Sequence, residues 1–342
     1  MPHPLRVGIV GAGAVARAHH LPGLAALEDV SVVSVANRTE ASSRAVAAAF
    51  GVPRIHTDWR SLVSDPDVDA VVIGTWPDTH VTVARAAIEA DKHVLVEGRL
   101  SHDHRQAVAL LEAARAMPHL VVMVVPAALT FWVDRTIQRL LADDVLGRLV
   151  AVEVHWGGAA EPQQHPAWRR DRRRSGINVM ELGILVESVA RWVGFPRWVQ
   201  AIEQIVETDA SDAPPGFVAD VPDLLDWQGE LPGGALVRTL MSPHLPPQVL
   251  GRTVSLTGSD ASLVVDLHDR TLQLYRRGSV DGEPVEPRAD EPLAWRVEAE
   301  FVGAIRQEEP VRFTDLATAE RYMAATDAVR SAARTGRRRW VT

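Results

Sequence analysis

The chain has 342 residues, and its 36 basic and 44 acidic side chains give a formal net charge of −8. This charge argues against a nucleic-acid-binding protein, because non-specific affinity for phosphodiester backbones comes largely from accumulated positive charge. The length predicts one or two domains, and a hydrophobic content of 46% can fill a core in each. The absence of cysteine excludes disulfides, thiolate nucleophiles and cysteine-ligated metals.

The hydropathy pattern predicts neither a membrane span nor a signal peptide. No stretch approaches the roughly 18 to 20 uninterrupted apolar residues that cross a bilayer. A strand-like run begins at Leu5 without the layout of a signal peptide. We therefore expect a cytoplasmic protein that binds no membrane.

The first 125 residues alternate short apolar runs with Ala-rich helical segments. Near-continuous apolar strands separated by helices are typical of a parallel sheet that is covered on both faces. Residues 1–125 are therefore predicted to form a doubly wound α/β domain. The predicted strands are Leu5–Val10, Val30–Ala36, Ala70–Ile73, His93–Val96 and Leu120–Val125.

Residues 126–342 have a different pattern. Strand-like runs follow one another between Trp198 and Tyr275 with turns but no helices, which favours an α+β domain with a large, mostly antiparallel sheet. The last predicted helix is an element that could pack back on the first domain. The other predicted elements are helices at Phe131–Leu141, Ile177–Val193, Ala294–Arg306 and Leu316–Ala333, and a strand at Leu149–Trp156.

A glycine-rich turn follows the first predicted strand. Gly11-Ala12-Gly13-Ala14-Val15-Ala16 has a G-x-G-x-x-A pattern and opens onto a helix. The first glycine permits a tight turn, the second lets the backbone approach a pyrophosphate, and the helix amides face the phosphates. This position in a βαβ unit predicts a dinucleotide site at Gly11, Gly13, Ala14 and Val15, against the alternative of a plain tight turn.

The residues after the second strand indicate which dinucleotide binds. Asn37, Arg38 and Thr39 stand where a carboxylate would hold the ribose 2′-hydroxyl of NAD. An arginine can instead pair with a 2′-phosphate and lie against the adenine. We therefore expect Asn37 and Arg38 to bind NADP(H) in preference to NAD(H), which stays possible. The alternative is a solvated turn.

Further candidates follow the fourth and fifth strands, because ligands gather at the carboxyl ends of parallel strands. Thr75, Trp76, His80 and Glu97 are predicted to contact the cofactor there. His80 is also a candidate catalytic group, although a histidine in the first turn of a helix is often merely solvated.

Taken in order, these motifs resemble the Gfo/Idh/MocA family of NAD(P)-dependent oxidoreductases. The resemblance extends over nearly the whole chain. It implies an N-terminal Rossmann domain and a C-terminal domain whose open sheet forms the contacts of a homodimer or homotetramer. It is carried by the glycine-rich turn with Ala18-His19-His20-Leu21-Pro22, by Thr75–His80, by Lys92–Glu97 and by Trp168–Gly176.

The chain departs from the family pattern at two catalytic positions. The family's Glu-Lys-Pro, whose lysine reaches the reacting oxygen, corresponds to Glu97-Gly98-Arg99 here. The family's Asp, with a His four residues later, corresponds to Glu181 and Leu185. The resemblance therefore implies that the catalytic Lys and His are replaced. Lys92, the only lysine, precedes the fifth strand and lies at the wrong end of the sheet to substitute.

Hydride transfer at a carbinol carbon requires a group that handles the hydroxyl proton. Glu181 and Glu187 lie on the predicted helix nearest the expected site and could do so. Arg99 is always protonated, so it could only polarise a carbonyl or hold an anion. Each of these could equally be structural. The other candidates are His80, His155, His165, Tyr275 and Tyr322.

A dense basic cluster, Arg169–Arg174, precedes that helix. We predict that Arg172 and Arg174 bind an acidic substrate group, with Trp168 and Asn178 also in the substrate site. The alternative is a solvated loop balanced by nearby acids. No metal site is predicted.

The leading hypothesis is an NADP(H)-dependent oxidoreductase acting on a sugar, cyclitol or sugar acid. The alternative is a dinucleotide-binding protein that has lost catalysis and serves as a sensor or assembly subunit. Gly98 and Leu185 favour the alternative, whereas the intact glycine-rich turn is compatible with both.

Overall fold

The structure is a computed structural model that describes residues 4–158, 166–210, 212–246 and 251–342, so the candidate His165 lies outside the described residues. The chain forms two compact units. The first comprises Met1–Pro126 and Arg296–Met323, and the second comprises Ala127–Trp295 and Ala324–Thr342. The chain therefore leaves the first unit after Pro126 and returns to it for 28 residues. Among the described helices, none combines the length and apolarity that a bilayer crossing requires.

The first 126 residues fold as alternating strands and helices. The strands are β1 (Leu5–Val10), β2 (Val30–Ala36), β3 (Arg54–Ile55), β4 (Ala70–Ile73), β5 (His93–Val96) and β6 (Val122–Val124). The helices are α1 (Leu21–Ala25), α2 (Glu40–Phe50), α3 (Trp59–Val63), α4 (Pro77–Glu89) and α5 (His104–Ala116). A π-helical segment, Ala16–His20, leads directly into α1.

The first sheet is parallel throughout, with the strand order β3-β2-β1-β4-β5-β6. Every residue of β4 is buried, as are the last four of β1 and the last three of β5. Such continuous burial explains the uninterrupted apolar runs in the sequence. The predicted doubly wound sheet is confirmed.

The remaining elements build a mostly antiparallel sheet with flanking helices, and α10 and part of α11 return to the first unit. The helices are α6 (Asp134–Ala142), α7 (Ala167–Arg170), α8 (Arg172–Ser175), α9 (Leu182–Val193), α10 (Val297–Ile305) and α11 (Leu316–Thr335). The strands are β7 (Leu149–Trp156), β8 (Trp198–Gln204), β9 (Leu224–Glu230), β10 (Leu236–Met241), β11 (Arg252–Gly258), β12 (Ala261–Asp266), β13 (Thr271–Arg276), β14 (Glu283–Pro284) and β15 (Arg339–Trp340).

The second sheet has nine described strands in the order β14-β13-β12-β11-β7-β10-β9-β8-β15. All neighbours are antiparallel except β7 and β10. The predicted α+β second domain is confirmed. Helix α9 packs its apolar side on this sheet, since Leu185 and Val189 line the same apolar space as Val154 and Trp227.

Helix α9 begins later than predicted. The expected helix starts at Ile177, but the structure starts it at Leu182, with Glu181 as the N-cap residue. Gly176 has φ +65° and Met180 has φ +43°, so the chain turns twice through conformations that do not continue a right-handed helix. Because α9 starts late, Glu181 precedes its first turn, and its side chain can point away from the helix.

Arg191, whose side chain is only 11% exposed, joins α6 to α9. Arg191 donates to Asp134 Oδ2 at 2.9 Å, to Glu187 Oε1 at 3.1 Å and to the Ala127 carbonyl at 2.7 Å. The indole N–H of Trp192 donates to the other Asp134 oxygen at 2.6 Å. Each buried carboxylate in this cluster therefore has a cation and further hydrogen bonds.

Replacing this arginine should destabilise the protein strongly. In Arg191→Met, two buried carboxylates would lose their cation, so we expect the free energy of unfolding to fall by about 3–5 kcal/mol. Arg197→Met is the control, because Arg197 is 59% exposed in its ion pair with Glu230, and such a pair should contribute little. Urea unfolding measures both, and a small loss for Arg191→Met would show that the cluster is not a stability determinant.

Candidate functional site

In the glycine-rich turn, Gly11 is closely surrounded by backbone, whereas Gly13 faces open space. Gly11 has φ +83°, and a Cβ there would lie 2.7 Å from the Thr75 amide nitrogen, so no side chain fits. A Cβ at Gly13 would meet nothing closer than the Gly74 carbonyl oxygen at 3.9 Å. Gly13, Ala14 and Val15 are exposed, and the first amides of a helix lack partners within it. The Gly13 amide donates to the Gly11 carbonyl at 2.8 Å, so the amides of Ala14 and Val15 are the donors in this turn that fit the pyrophosphate of a dinucleotide.

Asn37 supports the turn from the end of β2. Its Oδ1 accepts a hydrogen bond from the Ala12 amide at 2.7 Å, and its Nδ2 donates to Ser42 Oγ at 2.9 Å. Its own amide donates to Ser43 Oγ at 2.9 Å. Asn37 therefore organises the predicted cofactor site through protein contacts of its own.

Arg38 and Trp76 form a pair across the ends of β2 and β4. The Arg38 guanidinium carbon lies 5.0 Å from the centre of the Trp76 ring, within range of a cation–π contact. Arg38 is exposed and forms no salt bridge with any described carboxylate. The contact with Trp76 therefore holds the Arg38 cation at the exposed end of β2, where no described acid neutralises its charge.

His80 is an interior residue. Its Nε2 lies 2.8 Å from the Thr75 carbonyl oxygen and its Nδ1 lies 3.1 Å from that of Arg99. Burial lowers the pKa of His80, and a neutral imidazole has one N–H, so it donates to only one of these carbonyls. His80 joins the loops after β4 and β5. The burial of His80 does not favour its catalytic role, which stays a prediction. Arg99, another predicted catalytic residue, is also buried.

Sequence reasoning missed a cluster of one imidazole and two carboxylates, which we call the His20 cluster: His20, Glu97 and Glu298. His20 Nε2 lies 2.8 Å from Glu97 Oε1, and Nδ1 lies 2.5 Å from Glu298 Oε1. The His20 side chain is fully buried, and those of Glu97 and Glu298 are 14% and 5% exposed. The His19-His20 doublet was visible in the sequence, but its distant partners were not.

The His20 cluster holds a charged imidazole. Burial by itself lowers the pKa of His20, but the hydrogen bonds that its imidazole donates to Glu298 and Glu97, together with their negative charge, outweigh burial and raise the pKa to about 9. An ionised carboxylate only accepts hydrogen bonds, so an imidazole between two of them must donate from both nitrogens. His20 is therefore an imidazolium at neutral pH.

This charge should make stability depend on pH. The pKa of His20 is about 9 in the folded state, whereas the ordinary value for a histidine is 6.5. The stabilisation is therefore complete below pH 6.5 and disappears as the pH rises through 9. It amounts to about 3 kcal/mol of unfolding free energy. We expect urea unfolding of the wild type to show this loss, and His20→Gln to lack it.

His119→Gln is the control for that experiment. His119 pairs with Asp91 at 2.6 Å, but both side chains are largely exposed, so this variant should keep the wild-type pH dependence. If the wild type and His20→Gln lose the same free energy between pH 6.5 and 9.5, His20 is not the titrating group.

In the second unit, Glu181 is held by two donors. The Trp156 indole N–H donates to Glu181 Oε2 at 3.0 Å, and Arg169 donates to Oε1 at 3.4 Å. The Arg252 guanidinium stacks over the Trp156 ring at 4.6 Å, and that of Arg169 over Trp168 at 5.2 Å. The Glu181 side chain keeps 18% of its surface exposed. This constellation, which we call the Glu181 cluster, unites a carboxylate, two cations and two aromatic rings.

The basic cluster before α9 is mostly paired with acids. The backbone N–H of Arg172 donates to the carboxylate of Asp220 and its guanidinium to the Asp220 carbonyl, while Arg173 pairs with Asp171. Arg174 is exposed. These pairings agree better with the solvated-loop alternative than with an anion clamp, which stays a prediction. Asn178 is buried and donates to the Ser175 carbonyl at 2.6 Å.

Arg170 belongs to the interior. It forms a salt bridge with buried Asp223 at 3.1 Å. Asp223, Glu207 and His244 are close enough to share a cation, but Asp223 already has Arg170 and two backbone amides as partners. We therefore infer no metal site there.

Two other predicted proton-handling residues lie within the protein's own hydrogen-bond networks. Glu187 is buried and accepts from Arg191 and from the Ala127 amide. Buried Tyr322 accepts from the Leu100 amide at 2.7 Å. These contacts do not favour catalytic roles for either residue.

Sequence profiles of known families match both parts of the chain. Residues 5–125 match the oxidoreductase family with an NAD-binding Rossmann fold. Residues 135–264 match the Gfo/Idh/MocA C-terminal domain. The chain belongs to the Gfo/Idh/MocA family. Membership confirms the predicted enzyme class, an oxidoreductase with a dinucleotide-binding N-terminal domain.

Curated Gfo/Idh/MocA relatives match different lengths of this chain. An uncharacterized oxidoreductase of Synechocystis sp. is 27% identical over 76% of this chain and 71% of its own length. Levoglucosan dehydrogenase of Pseudarthrobacter phenanthrenivorans is 27% identical over 55% of this chain and 51% of its own. Inositol 2-dehydrogenase of Acidothermus cellulolyticus is 34% identical over 33% of each. The sequence alignments thus span about half or less of the length of levoglucosan dehydrogenase and of inositol 2-dehydrogenase.

Solved Gfo/Idh/MocA structures share the whole fold. Levoglucosan dehydrogenase in complex with NADH has a TM-score of 0.84 over 99% of both chains at 21% identity. Aldose-aldose oxidoreductase from Caulobacter crescentus, complexed with glycerol, has a TM-score of 0.78 over 99% of this chain and 100% of its own at 20% identity. At these identities the likeness shows the fold alone.

Proposed function

We propose that this Gfo/Idh/MocA protein is an NADP(H)-dependent oxidoreductase that transfers hydride between nicotinamide and a carbinol or carbonyl carbon of a sugar, cyclitol or sugar acid. The observation that carries the proposal is the Glu181 cluster, in which a partly exposed carboxylate is fixed by Trp156 and Arg169. The names of relatives such as levoglucosan dehydrogenase and inositol 2-dehydrogenase support the substrate class.

The first unit has the groups that a dinucleotide requires. The amides of Ala14 and Val15 would hold the pyrophosphate, which the open space at Gly13 lets approach the backbone. Arg38, which stacks on Trp76, would pair with a ribose 2′-phosphate. The bound nicotinamide supplies the hydride or accepts it. Because no described acid neutralises Arg38, its full charge favours the cofactor with the additional phosphate.

Cofactor preference tests the role of Arg38. The wild type should bind NADPH more tightly than NADH, and Arg38→Ala should reduce the ratio about tenfold, because a charge-assisted contact to phosphate is lost. Titrations of nicotinamide fluorescence measure both affinities. Arg44→Ala is the matched control, since Arg44 is exposed nearby on α2 but already pairs with Glu40. Equal affinities of the wild type for the two cofactors would contradict the preference.

The Glu181 cluster has the chemistry to bind a polyhydroxylated molecule. A carboxylate has four lone-pair positions, and Trp156 and Arg169 use two of them, so a substrate hydroxyl can donate to another. The Trp168 and Trp156 rings present apolar surface suited to the C–H face of a sugar ring. Arg169 and Arg252 add positive charge that suits a sugar acid. Glu181 would then be the group that accepts the proton of the hydroxyl it binds.

Activity tests the role of Glu181. Incubation with NADP⁺ and a panel of sugars, polyols and sugar acids should give turnover, followed by nicotinamide absorbance. Glu181→Gln should lower kcat about a hundredfold or more, because an amide cannot take a proton, while cofactor affinity stays unchanged. Glu153→Gln, an exposed carboxylate on β7, is the matched control. Unchanged kcat in Glu181→Gln would remove Glu181 from the mechanism.

One observation favours the second hypothesis, a sensor or assembly subunit. Leu185, which stands at the family's catalytic histidine position, is buried in the apolar layer under α9 and can handle no proton. Cofactor binding without turnover across the whole panel would support this alternative, whereas turnover of any substrate would exclude it.

Assembly and location stay predictions. The open face of the second sheet exposes Ile202 and Leu236, at 71% and 58% of their surfaces. Exposed apolar residues on a sheet are compatible with the expected homodimer or homotetramer through this sheet. The cytoplasmic location also stays a prediction.

A further inference from the structure

We infer that His20 is a positioning residue of the proposed cofactor site: it fixes the Glu97 carboxylate so that its second oxygen accepts a hydrogen bond from a hydroxyl group of the bound dinucleotide. The inference deepens the proposed function and rests on it. It stands on the geometry of the His20 cluster and on the position of Glu97 at the carboxyl end of β5.

Glu97 lies beside the glycine-rich turn. Its Cγ is 3.8 Å from the point that a Cβ at Gly74 would occupy, and that point is 2.7 Å from the Gly11 carbonyl oxygen. Glu97, Gly74 and Gly11 are therefore neighbours at one edge of the first sheet. This is the edge at which ligands of doubly wound sheets bind.

The two oxygens of Glu97 have different surroundings. Every hydrogen bond that described residues make to this side chain goes from His20 to Oε1. Glu97 is also the most exposed member of the His20 cluster. Its Oε2 is therefore the group through which the cluster can reach a ligand. A fixed carboxylate oxygen is a strong acceptor for a hydroxyl.

Glu298 fixes His20 from the other side. It belongs to α10, and its carboxylate packs so closely on Gly23 that a Cβ there would lie 2.8 Å from Oε2. Glu97 and Glu298 are the described charged groups that raise the pKa of His20. Buried His80 interacts electrostatically with Glu97. Glu298 fixes the imidazole, and the imidazole donates to Glu97 Oε1. The Glu97 carboxylate therefore keeps one orientation as long as both ring nitrogens of His20 are protonated.

The test is the pH dependence of cofactor binding. NADPH and NADH are each titrated by fluorescence into the full-length protein between pH 7 and pH 10. Wild-type affinity should be constant up to about pH 8 and should fall as His20 loses its proton near pH 9. His20→Gln should bind about tenfold more weakly at pH 7, because Glu97 loses its charged partner, and should show no such fall.

A second variant keeps the inference testable if His20→Gln does not fold. In Glu298→Gln the imidazole loses one of its two carboxylates, so the fall in affinity should move to lower pH by about one unit. A fall that stays at the wild-type pH would overturn the inference. A merely structural role would change the melting temperature and leave the pH profile of binding unaltered.

His104→Gln is the matched structural control. His104 also pairs with a carboxylate of the returning segment, Glu320. Its removal should leave the affinity and its pH profile unchanged. Equal affinities of the wild type and His20→Gln at every pH would overturn the inference and leave the proposed function intact. A wild type that binds neither nucleotide would overturn both.

Discussion

The candidate cofactor site of the first unit depends on one constraint: the backbone turns at Gly11 and Gly74 approach each other closely at the carboxyl edge of the first sheet. The Gly11 amide donates a hydrogen bond to the Ala36 carbonyl at 2.9 Å, and the Gly74 amide donates one to the Val10 carbonyl at 2.8 Å. There is no room for a side chain between Gly11 and Thr75. The turn is therefore fixed against the strand ends, and Asn37, Trp76 and Glu97 reach their positions because those ends are fixed.

Much of the fold could be predicted from the sequence, and the reason is burial. Strands β1, β2, β4 and β5 begin and end at the predicted residues, because a strand covered on both faces is an unbroken apolar run. The two-residue β3 has no such run and was not predicted. The start of α9 was predicted too early, because the apolar pattern of Ile177 and Val179 continues through a segment whose backbone is not helical.

The candidate site was less predictable, because partners distant in sequence determine what a residue does. Glu181 was predicted as a candidate from its position, but Arg252, which stacks on the Trp156 that holds it, carried no signal. His80 and Glu187 had plausible positions and are committed to buried hydrogen bonds. His20 and Glu298 are 278 positions apart, and no local pattern connects them.

Lys92 is the only lysine among the 36 basic residues, and the preference for arginine has a structural counterpart. Guanidinium groups stack on tryptophan rings at several places, including Arg38 on Trp76 and Arg252 on Trp156. A planar guanidinium can lie flat on an aromatic ring and still donate hydrogen bonds from its edge, which an ammonium group does less well. In the Glu181 cluster, Arg169 does both, since it lies over Trp168 and donates to Glu181.

The return of the chain to its first unit has a consequence for biosynthesis. The Val124 amide donates a hydrogen bond to the Thr314 carbonyl at 3.2 Å, and the Leu100 amide donates to the Tyr322 hydroxyl. His20 pairs with Glu298, which is also synthesised late. The nucleotide-binding unit therefore cannot be completed while the ribosome is still translating the second sheet. Domains usually fold as they emerge, N-terminal first, but here the N-terminal domain is among the last parts to close.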